Sequence, residues 1–472
     1  MSSFSGKINQ NIVIQIVGRL ISLAIGILII AFIARYLGPT YFGYFTTITA
    51  FLQIFAILMD FGLSLMTLQF LGQPDADQEK IINNFFTLRF FSGLIFIGLS
   101  SLIILFFPYP WLVKLGTVIF SLSFFFNLLL QIFTSYFQKL FQTIKSAIGE
   151  ISGRLMVLIA IILVVKLDLG FFAVLFALIL GALVNFLVIL LFAQRLIKIK
   201  FSFDWPFWLK IFHLTWPVAL SIAFHLVYFK ADTLILSFYH PARTVGIYGA
   251  PYRILEILIM FPPMFLGLIQ PLLAKSWADR NLPDLKNLVQ KSFNFLSLIT
   301  LPMVVGTLIL ADRLILLIAG PEFLESGLVL KIIILATGAI FLSSLFSNAA
   351  IAVNRQKIML YFRAAIAVLA LVGYFIFIPA YSYLAAAWIT VIVELLVLLV
   401  MYLIVVKTTD LTINLKAFLK SLAASLIMGA SLILLFNFNL LLLMTIAALI
   451  YFACLYLFGG FSLRPIKEMI NF

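Results

Sequence analysis

Apolar stretches of about 20 residues follow one another along the whole chain, with only short polar breaks between them. A helix of that length crosses a hydrocarbon layer of about 30 Å and satisfies its own backbone hydrogen bonds there. The pattern therefore predicts an all-α polytopic membrane protein with fourteen transmembrane helices. The predicted spans are residues 11–34, 41–68, 84–107, 111–137, 146–165, 170–193, 212–238, 245–272, 290–311, 327–352, 358–378, 381–405, 415–436 and 439–459.

Composition agrees with this pattern. Hydrophobic residues make up 64% of the 472, only 10% are charged, and 51 are Phe. A soluble core cannot bury that much apolar surface. No small-residue cleavage site follows the first apolar run, so we expect that run to be retained as a helix and not removed as a signal peptide.

Basic residues alternate between the two sides of the predicted spans. Lys and Arg gather in cytoplasmic loops. With the amino terminus inside, the cytoplasmic loops contain twenty basic residues, Arg363 among them, and the opposite loops five. The alternation supports fourteen spans and predicts that both termini are cytoplasmic. The net charge of +14 then reflects orientation in an anionic membrane. We expect no nucleic-acid partner, because the chain has neither a basic face nor a basic tail outside the membrane.

A sequence repeat divides the chain. Tyr36 is followed by Gly43 and Tyr239 by Gly246, each glycine has an aromatic residue two positions later, and the copies are 203 residues apart. Six predicted spans separate the copies, and an even number predicts a parallel repeat. The predicted divisions are an N-terminal lobe, a C-terminal lobe, and an extra helix pair with a cytoplasmic tail, at residues 1–200, 201–408 and 409–472.

Short motifs in a fixed order carry a family resemblance: Ala34–Phe45, Asp60–Leu63, Ala231–Leu236, Val245–Tyr248 and Tyr252–Arg253. Together they resemble the polysaccharide flippases of the multidrug/oligosaccharidyl-lipid/polysaccharide exporter superfamily, over nearly the whole chain. The resemblance implies two parallel-repeat six-helix lobes around a central cavity. It also implies a carrier that flips undecaprenyl-diphosphate-linked oligosaccharide repeat units by alternating access, across a bacterial-type cytoplasmic membrane, for cell-surface polysaccharide biosynthesis.

Partners follow from the same resemblance. We expect the polyprenyl-diphosphate-linked oligosaccharide and membrane lipids, with polysaccharide polymerase or glycosyltransferases as candidate protein partners and a monomeric carrier. A multidrug or cation-coupled exporter of the same superfamily and a peptidoglycan-precursor lipid flippase are the alternatives. The basic excess and the extra helix pair favour the polysaccharide flippase over the drug exporter. A membrane scaffold without transport would leave the buried charges unexplained.

Basic residues inside the spans are the candidates for binding the diphosphate. Each costs about 2.5 to 3.5 kcal/mol at mid-bilayer, so each needs a partner or a wet cavity. Guanidinium groups bind phosphate oxygens bidentately. The candidates are Arg19, Arg89, Arg154, Lys230 and Arg253.

Arg19 belongs to a polar stripe on the first span. Asn11, Gln15, Arg19, Ser22 and Gly26 recur at helical spacing. We expect this stripe to line either the cavity or a contact with another helix, while the alternative is an arginine that snorkels to the inner surface.

Neighbouring charges offer structural alternatives for the other candidates. Glu150 lies four residues before Arg154, and Glu256 lies one turn after Arg253, so each arginine has an ion-pair partner on its own helix. We expect Lys331, near a span end, to snorkel.

Three carboxylates inside the spans are candidates for ion coupling: Asp60, Asp232 and Glu394. The last two match family motif positions, and Asp60 has a structural alternative as the partner of an arginine. Some relatives are thought to bind a cation between spans 7, 11 and 12, but span 11 here has no Asp or Asn. Proton coupling, sodium coupling and drive by the membrane potential all stay open, and no other cofactor is expected.

Enzymatic signatures are missing from the sequence. The three His residues share no metal-ligand spacing with Cys or carboxylates, and there is no nucleotide-binding Gly-rich loop. The single Cys454 lies in a predicted span, which suits a buried thiol. We therefore expect a transporter without a metal site and not an enzyme.

Overall fold

The structure, a computed structural model, describes residues 2–60, 62–73 and 77–459, without the side chains of 2–17, 19, 20, 57–59, 64, 65, 217–223 and 225–228. The described part of the chain is helical and contains no strand. Its α-helices are α1 (Ser2–Asp60), α2 (Leu63–Leu71), α3 (Gln78–Leu105), α4 (Trp111–Lys139), α5 (Thr143–Lys166), α6 (Gly170–Gln194), α7 (Trp205–Tyr239), α8 (Ala242–Leu258), α9 (Phe261–Ala278), α10 (Leu282–Ile318), α11 (Ser326–Ala352), α12 (Gln356–Thr409), α13 (Lys416–Leu434) and α14 (Leu440–Leu457).

Two long helices each contain two of the predicted spans. Gly38 has φ 62° and ψ 174°, so α1 consists of two arms, and Pro39 begins the second arm, where its missing N–H costs nothing. Ser382, with φ 56° and ψ −141°, divides α12 in the same way. The eighth predicted span corresponds to α8 and α9 together. Within the described residues, eleven helical segments are long and apolar enough to cross a membrane. The predicted all-α polytopic fold is confirmed, and the chain is a multi-pass membrane protein.

The first of two compact units is Met1–Gly249. In it, α1 packs against α4, α5 and α7, while α6 packs against α4 and α5. An aromatic core joins α2, α3 and α4 with the start of α7 through Phe70, Phe85, Phe133, Phe137 and Ile211.

The second compact unit is Ala250–Phe472. Here α11 packs against α9, α10 and α12. The extra helix pair, α13 and α14, packs on α10 through Leu310, Met428 and Tyr451. The Tyr451 hydroxyl donates to the Leu298 carbonyl oxygen at 2.8 Å, which fastens α14 to α10. The lobe boundaries at residues 200 and 408 remain predictions from the sequence.

The connector, residues 195–210, is held by three buried polar side chains of α3: Asn83, Asn84 and Thr87. The Asn83 amide pairs with two main-chain groups of the connector, donating to Lys198 O at 3.1 Å and accepting from Lys200 N at 3.0 Å. The Thr87 hydroxyl and the Asn84 amide bind the next part of the connector. Their partners are Ser202 N at 2.8 Å, Ser202 Oγ at 3.1 Å, Asp204 N at 3.1 Å and Trp208 Nε1 at 3.0 Å. Side chains thus supply the hydrogen bonds that an extended segment lacks.

Candidate functional site

The described end of the polar stripe of the first span, at Gly26, lies against α5. The two helices run parallel: a Cβ on Gly18 would lie 3.1 Å from the Ala147 Cβ, and one on Gly26 would overlap the Arg154 guanidinium. Ser22, between the two glycines, is buried. Of the two expectations for the stripe, contact with another helix is therefore observed along this stretch. We call the contact of Gly18 and Gly26 with Ala147 and Arg154 the α1–α5 seam.

Arg154 occupies the notch that Gly26 leaves in α1. Its Nε and Nη2 atoms donate to Glu150 Oε1 at 3.3 and 3.2 Å, the ion pair that the sequence offered as an alternative. The Arg154 side chain nevertheless stays 29% exposed. Arg154 is therefore a cation within a membrane-spanning helix, and its side chain is only partly enclosed by the protein. Arg19 lies on the same helix as the notch, but its side chain is outside the described residues.

Arg89 has the opposite environment. Its side chain is fully buried and its Nη2 donates to Asp60 Oδ1 at 2.6 Å. Nη1 donates to the Leu128 carbonyl oxygen on α4 at 2.8 Å. The structure thus brings together two residues predicted for different roles, diphosphate binding and ion coupling. In this arrangement they join α1, α3 and α4, and their transport roles remain predictions.

The two copies of the sequence repeat contact each other where the second arm of α1 crosses the start of α8. A Cβ on Gly43 would overlap the main-chain carbonyl of Ala242, and a Cβ on Gly246 would overlap that of Pro39. Pro39 and Ala242 are 203 residues apart, as the two glycines are. Equivalent atoms therefore form both halves of the contact. Small residues allow helix backbones in membranes to approach this closely.

Asp232 connects α7 to the second copy of the repeat. Its buried carboxylate accepts hydrogen bonds from the Tyr248 hydroxyl and the Thr233 N–H, both at 2.5 Å. Lys230 precedes it by two residues, is 6% exposed, and has its Nζ 5.2 Å from the Phe229 ring centroid. Two predicted site residues thus lie on one buried turn of α7, and Tyr248 is a partner that the sequence analysis did not identify.

A cavity of about 390 Å³ opens beside the crossing of the repeat copies. Tyr44, Tyr109, His240 and Arg243 contribute to its wall, and none of the described residues that line it is a carboxylate. The hydroxyls of Tyr109 and Ser237 are 2.7 Å apart. Burial raises the pKa of Tyr109, in the loop between α3 and α4, to about 12, so its hydroxyl stays protonated. The wall offers hydroxyl, imidazole and guanidinium donors to a polar group.

In the second unit, the two basic residues that the sequence analysis placed inside spans, Arg253 and Lys331, each form an ion pair. Arg253 Nη1 donates to Glu256 Oε2 at 2.9 Å, and both side chains are largely buried. Lys331, which was expected to snorkel, donates to Asp312 Oδ2 at 2.7 Å. Arg253 remains a predicted diphosphate ligand, with a carboxylate that phosphate would have to replace.

Glu394 lies on the second arm of α12 and is 3% exposed. The Arg363 guanidinium, on the first arm, attracts this carboxylate and also donates to Ser347 Oγ at 3.4 Å. Sequence reasoning assigned Arg363 to a cytoplasmic loop and missed it as a site residue. The available signal was its position five residues inside the predicted span 358–378. Among the described residues, no three His, Cys, Asp or Glu side chains form a metal-binding group.

Comparison with known proteins identifies the sequence family. The family model described as "Polysaccharide biosynthesis protein" matches residues 32–328. The matched region includes both copies of the repeat, the Arg89–Asp60 pair and the α5 residues of the α1–α5 seam. None of the curated proteins compared matches the chain.

Solved structures give the fold. The lipid II flippase MurJ, in an inward closed conformation, is 18% identical, with a TM-score of 0.75 over 96% of this chain and 100% of that one. An inward-facing multidrug resistance MATE family transporter of the MOP superfamily is 12% identical, with a TM-score of 0.69 over 84% and 98%. The Vibrio cholerae MATE transporter VcmN, as a point mutant, is 16% identical, with a TM-score of 0.53 over 87% and 98%. The described helices therefore have the fold of this group of transporters.

Proposed function

Because this chain belongs to the polysaccharide biosynthesis protein family, we propose that it flips undecaprenyl-diphosphate-linked oligosaccharide repeat units across the bacterial cytoplasmic membrane. The family and the fold support a membrane carrier of this kind. In this proposal both termini are cytoplasmic, because the basic loops lie on that side. The flipped units supply cell-surface polysaccharide biosynthesis.

The observation that supports a diphosphate substrate best is the environment of Arg154. A cation in a membrane helix is costly unless a partner or a function compensates for it. Glu150 is its partner, yet 29% of the Arg154 side chain stays exposed. A guanidinium group can exchange a single carboxylate for two phosphate oxygens, and that bidentate bond is stronger. We assign Arg154 the first contact with the diphosphate.

Arg89 has a different part in this proposal. Asp60 and the Leu128 carbonyl already bind both of its Nη atoms, and no part of the side chain is exposed. Exchange with a phosphate would require breaking a buried ion pair, which costs about 3 kcal/mol or more. We assign Arg89 to holding the cytoplasmic half of α1, α3 and α4 together while the substrate binds elsewhere.

Ion coupling in this proposal belongs to Asp232 and Glu394. Both carboxylates are buried in spanning helices. Each has a partner whose interaction weakens when the carboxylate is neutralised. The partner of Asp232 is the Tyr248 hydroxyl, and that of Glu394 is the Arg363 guanidinium. Buried carboxylates of this kind are the usual coupling sites for protons or sodium.

Flipping in proteoliposomes tests the proposal. A fluorescent undecaprenyl-diphosphate oligosaccharide is incorporated, and the fraction that a membrane-impermeant glycosidase reaches is followed over time. We expect Arg154→Gln to slow flipping about tenfold or more, since one charge-assisted phosphate contact is lost. Lys139→Gln, at the cytoplasmic end of α4, is the matched control and should flip at the wild-type rate.

Three results would contradict the proposal. If Arg154→Gln flips the substrate at the wild-type rate, Arg154 does not make the assigned contact with the diphosphate. Transport of a cationic drug, with no flipping of lipid-linked sugar, would indicate the multidrug exporter instead. If only a peptidoglycan precursor is flipped among the lipid-linked sugars offered, the peptidoglycan-precursor alternative replaces the polysaccharide unit.

A further inference from the structure

A second polar cavity, of about 240 Å³, lies in the second unit, between the start of α10, the start of α13 and the end of α14. It is on the side that the basic loops mark as cytoplasmic. Among residues 77–459, its wall contains two lysines, three carboxamide side chains and no carboxylate. The residues are Gln290, Asn294, Asn414, Lys416, Ala417, Lys420 and Gly459.

Hydrogen bonds fix the carboxamides of this cavity. The Gln290 amide donates to Asn414 O at 2.9 Å and accepts from Asn414 N at 2.8 Å. Gln290 Nε2 also donates to Asn294 Oδ1 at 2.8 Å. This bond occupies the Asn294 carbonyl and leaves its two amide N–H groups to donate. The loop before α13 is thereby tied to α10, which gives the cavity a fixed wall.

The two lysines provide positive charge, and neither forms an ion pair with a carboxylate in the part of the chain that the structure describes. Lys420 Nζ donates to the Gly459 carbonyl oxygen at 3.2 Å, which uses one of its three N–H groups. Lys416 is exposed, and among the described residues its Nζ has no partner. The remaining ammonium donors and the Asn294 amide match the oxygens of a phosphate group.

Apolar surface continues from this cavity along α13 and α14. Leu419 and Leu426 are each 57% exposed, Tyr456 is 74% exposed and Leu457 is 78% exposed. Such a surface can contact hydrocarbon chains but makes no favourable interaction with a soluble phosphate ion. The combination of a basic cavity at the helix ends with apolar flanks is typical of a headgroup site for an anionic lipid.

We propose that this cavity binds the phosphate of an anionic membrane phospholipid, whose acyl chains lie along α13 and α14. The family match ends at residue 328, so both lysines and the α13 and α14 part of the site lie outside the region that the family model covers, while Gln290 and Asn294 lie inside it. The bound lipid fastens the extra helix pair to α10. This role does not depend on what the chain transports.

Native mass spectrometry of the full-length protein in detergent tests the proposal. Phosphatidylglycerol and phosphatidylcholine are added at equal concentration, and bound lipid is counted. We expect the wild-type protein to prefer phosphatidylglycerol. The K416Q/K420Q double variant should bind phosphatidylglycerol about thirtyfold more weakly, since two lysines near an anionic headgroup contribute about 1 kcal/mol each and 1.4 kcal/mol is a factor of ten. The K139Q/K145Q variant removes two lysines on the same predicted side of the first unit, and it should keep the preference.

Four outcomes of the binding experiments overturn the assignment. Equal binding of the two phospholipids, or equal phosphatidylglycerol binding by wild type and K416Q/K420Q, shows that the cavity is not a headgroup site. If undecaprenyl phosphate displaces phosphatidylglycerol and needs the same two lysines for its binding, the site belongs to the polyprenyl lipid. Displacement by inorganic phosphate alone shows that acyl chains are not required. A melting curve of K416Q/K420Q without added lipid, matching wild type, establishes that the variant is folded.

Discussion

Gly43 and Gly246 contact each other's helices through equivalent atoms. Each lacks the Cβ that would overlap a main-chain carbonyl, of Ala242 in one case and Pro39 in the other. A third contact in this crossing joins Gly249 and Thr46, which are also 203 positions apart. A Cβ on Gly249 would lie 3.1 Å or less from the Thr46 side chain. The repeat in the sequence is therefore also a contact surface, where small residues let α1 and α8 approach closely.

Gly43→Ala should destabilise the protein, because the new methyl group meets a backbone carbonyl that cannot turn away. We expect a loss of about 1 to 3 kcal/mol, seen as a lower melting temperature in detergent. Gly98→Ala, in α3, is the control: its Cβ would have nothing within 4 Å, so its stability should be unchanged or slightly higher. Equal melting temperatures for the two variants would show that the crossing tolerates a methyl group.

Arg89→Gln should be strongly destabilising. The substitution leaves Asp60 without its ion-pair partner and the Leu128 carbonyl without its donor. Breaking a buried pair at one end costs about 3 to 5 kcal/mol. The Asp60→Asn/Arg89→Gln double variant removes the uncompensated carboxylate, so it should recover part of the loss in thermal unfolding. If the double variant is as unstable as the sum of the single ones, the two residues are not coupled.

Asn84→Ala should loosen the connector without unfolding the helices. The substitution removes the hydrogen bonds that the Asn84 side-chain amide makes with Ser202, Asp204 and Trp208. Each is worth about 1 kcal/mol. Limited proteolysis should then cut residues 198–204 faster than in wild type. Asn127→Ala is the control, because the hydrogen bond that Asn127 makes within the described residues is to Ser123 O, inside α4. Equal cleavage of the two variants would argue against a role for Asn84 in holding the connector.

The connector should also respond to acid. A hydrogen bond from Lys80, 2.7 Å away, and one from the Phe207 N–H lower the pKa of Asp204 below its ordinary value of 3.8. A depressed pKa means that the carboxylate stabilises the fold above the unfolded-state pKa and that this contribution disappears as the pH falls through the lower, folded-state value.

Pepsin cleavage next to Phe201 and Phe203 measures this effect. Relative to a denatured control, cleavage of the wild-type connector should accelerate between about pH 4 and about pH 2, the window below the ordinary pKa of Asp. Asp204→Asn has no carboxylate to protonate, so its connector should be cut faster at the upper pH and accelerate less. A parallel pH response of the two proteins would assign the change to other groups.

Glu394→Gln should change the ion dependence of flipping more than its maximal rate. The substitution removes the ionisable carboxyl group that interacts with Arg363 while keeping nearly the same volume. If Glu394 couples an ion, the variant should flip at a rate that no longer depends on pH or on sodium, measured in proteoliposomes with imposed gradients. Asp312→Asn, at the Lys331 pair, should retain the wild-type dependence. Unaltered gradient dependence in Glu394→Gln would leave coupling to Asp232.

The spans, the all-α class and the repeat were all readable from the chain. Span length and the positions of Lys and Arg are local properties, and each depends on the residue's own transfer energy to lipid. The ion pairs of Arg154 with Glu150 and of Arg253 with Glu256 were also foreseeable, since helical spacing alone places partners three or four residues apart on one face.

Only the tertiary structure decided which distant residues meet. Arg89 was a candidate ligand until packing placed it on Asp60, and Arg363 was assigned to a loop until the two arms of α12 placed it near Glu394. The repeat was visible as letters, but the contact of Gly43 with Ala242 depends on where two helices cross. Partition into a membrane is a sum over single residues, whereas a buried charge takes its partner from the register between helices, which no single stretch of sequence contains.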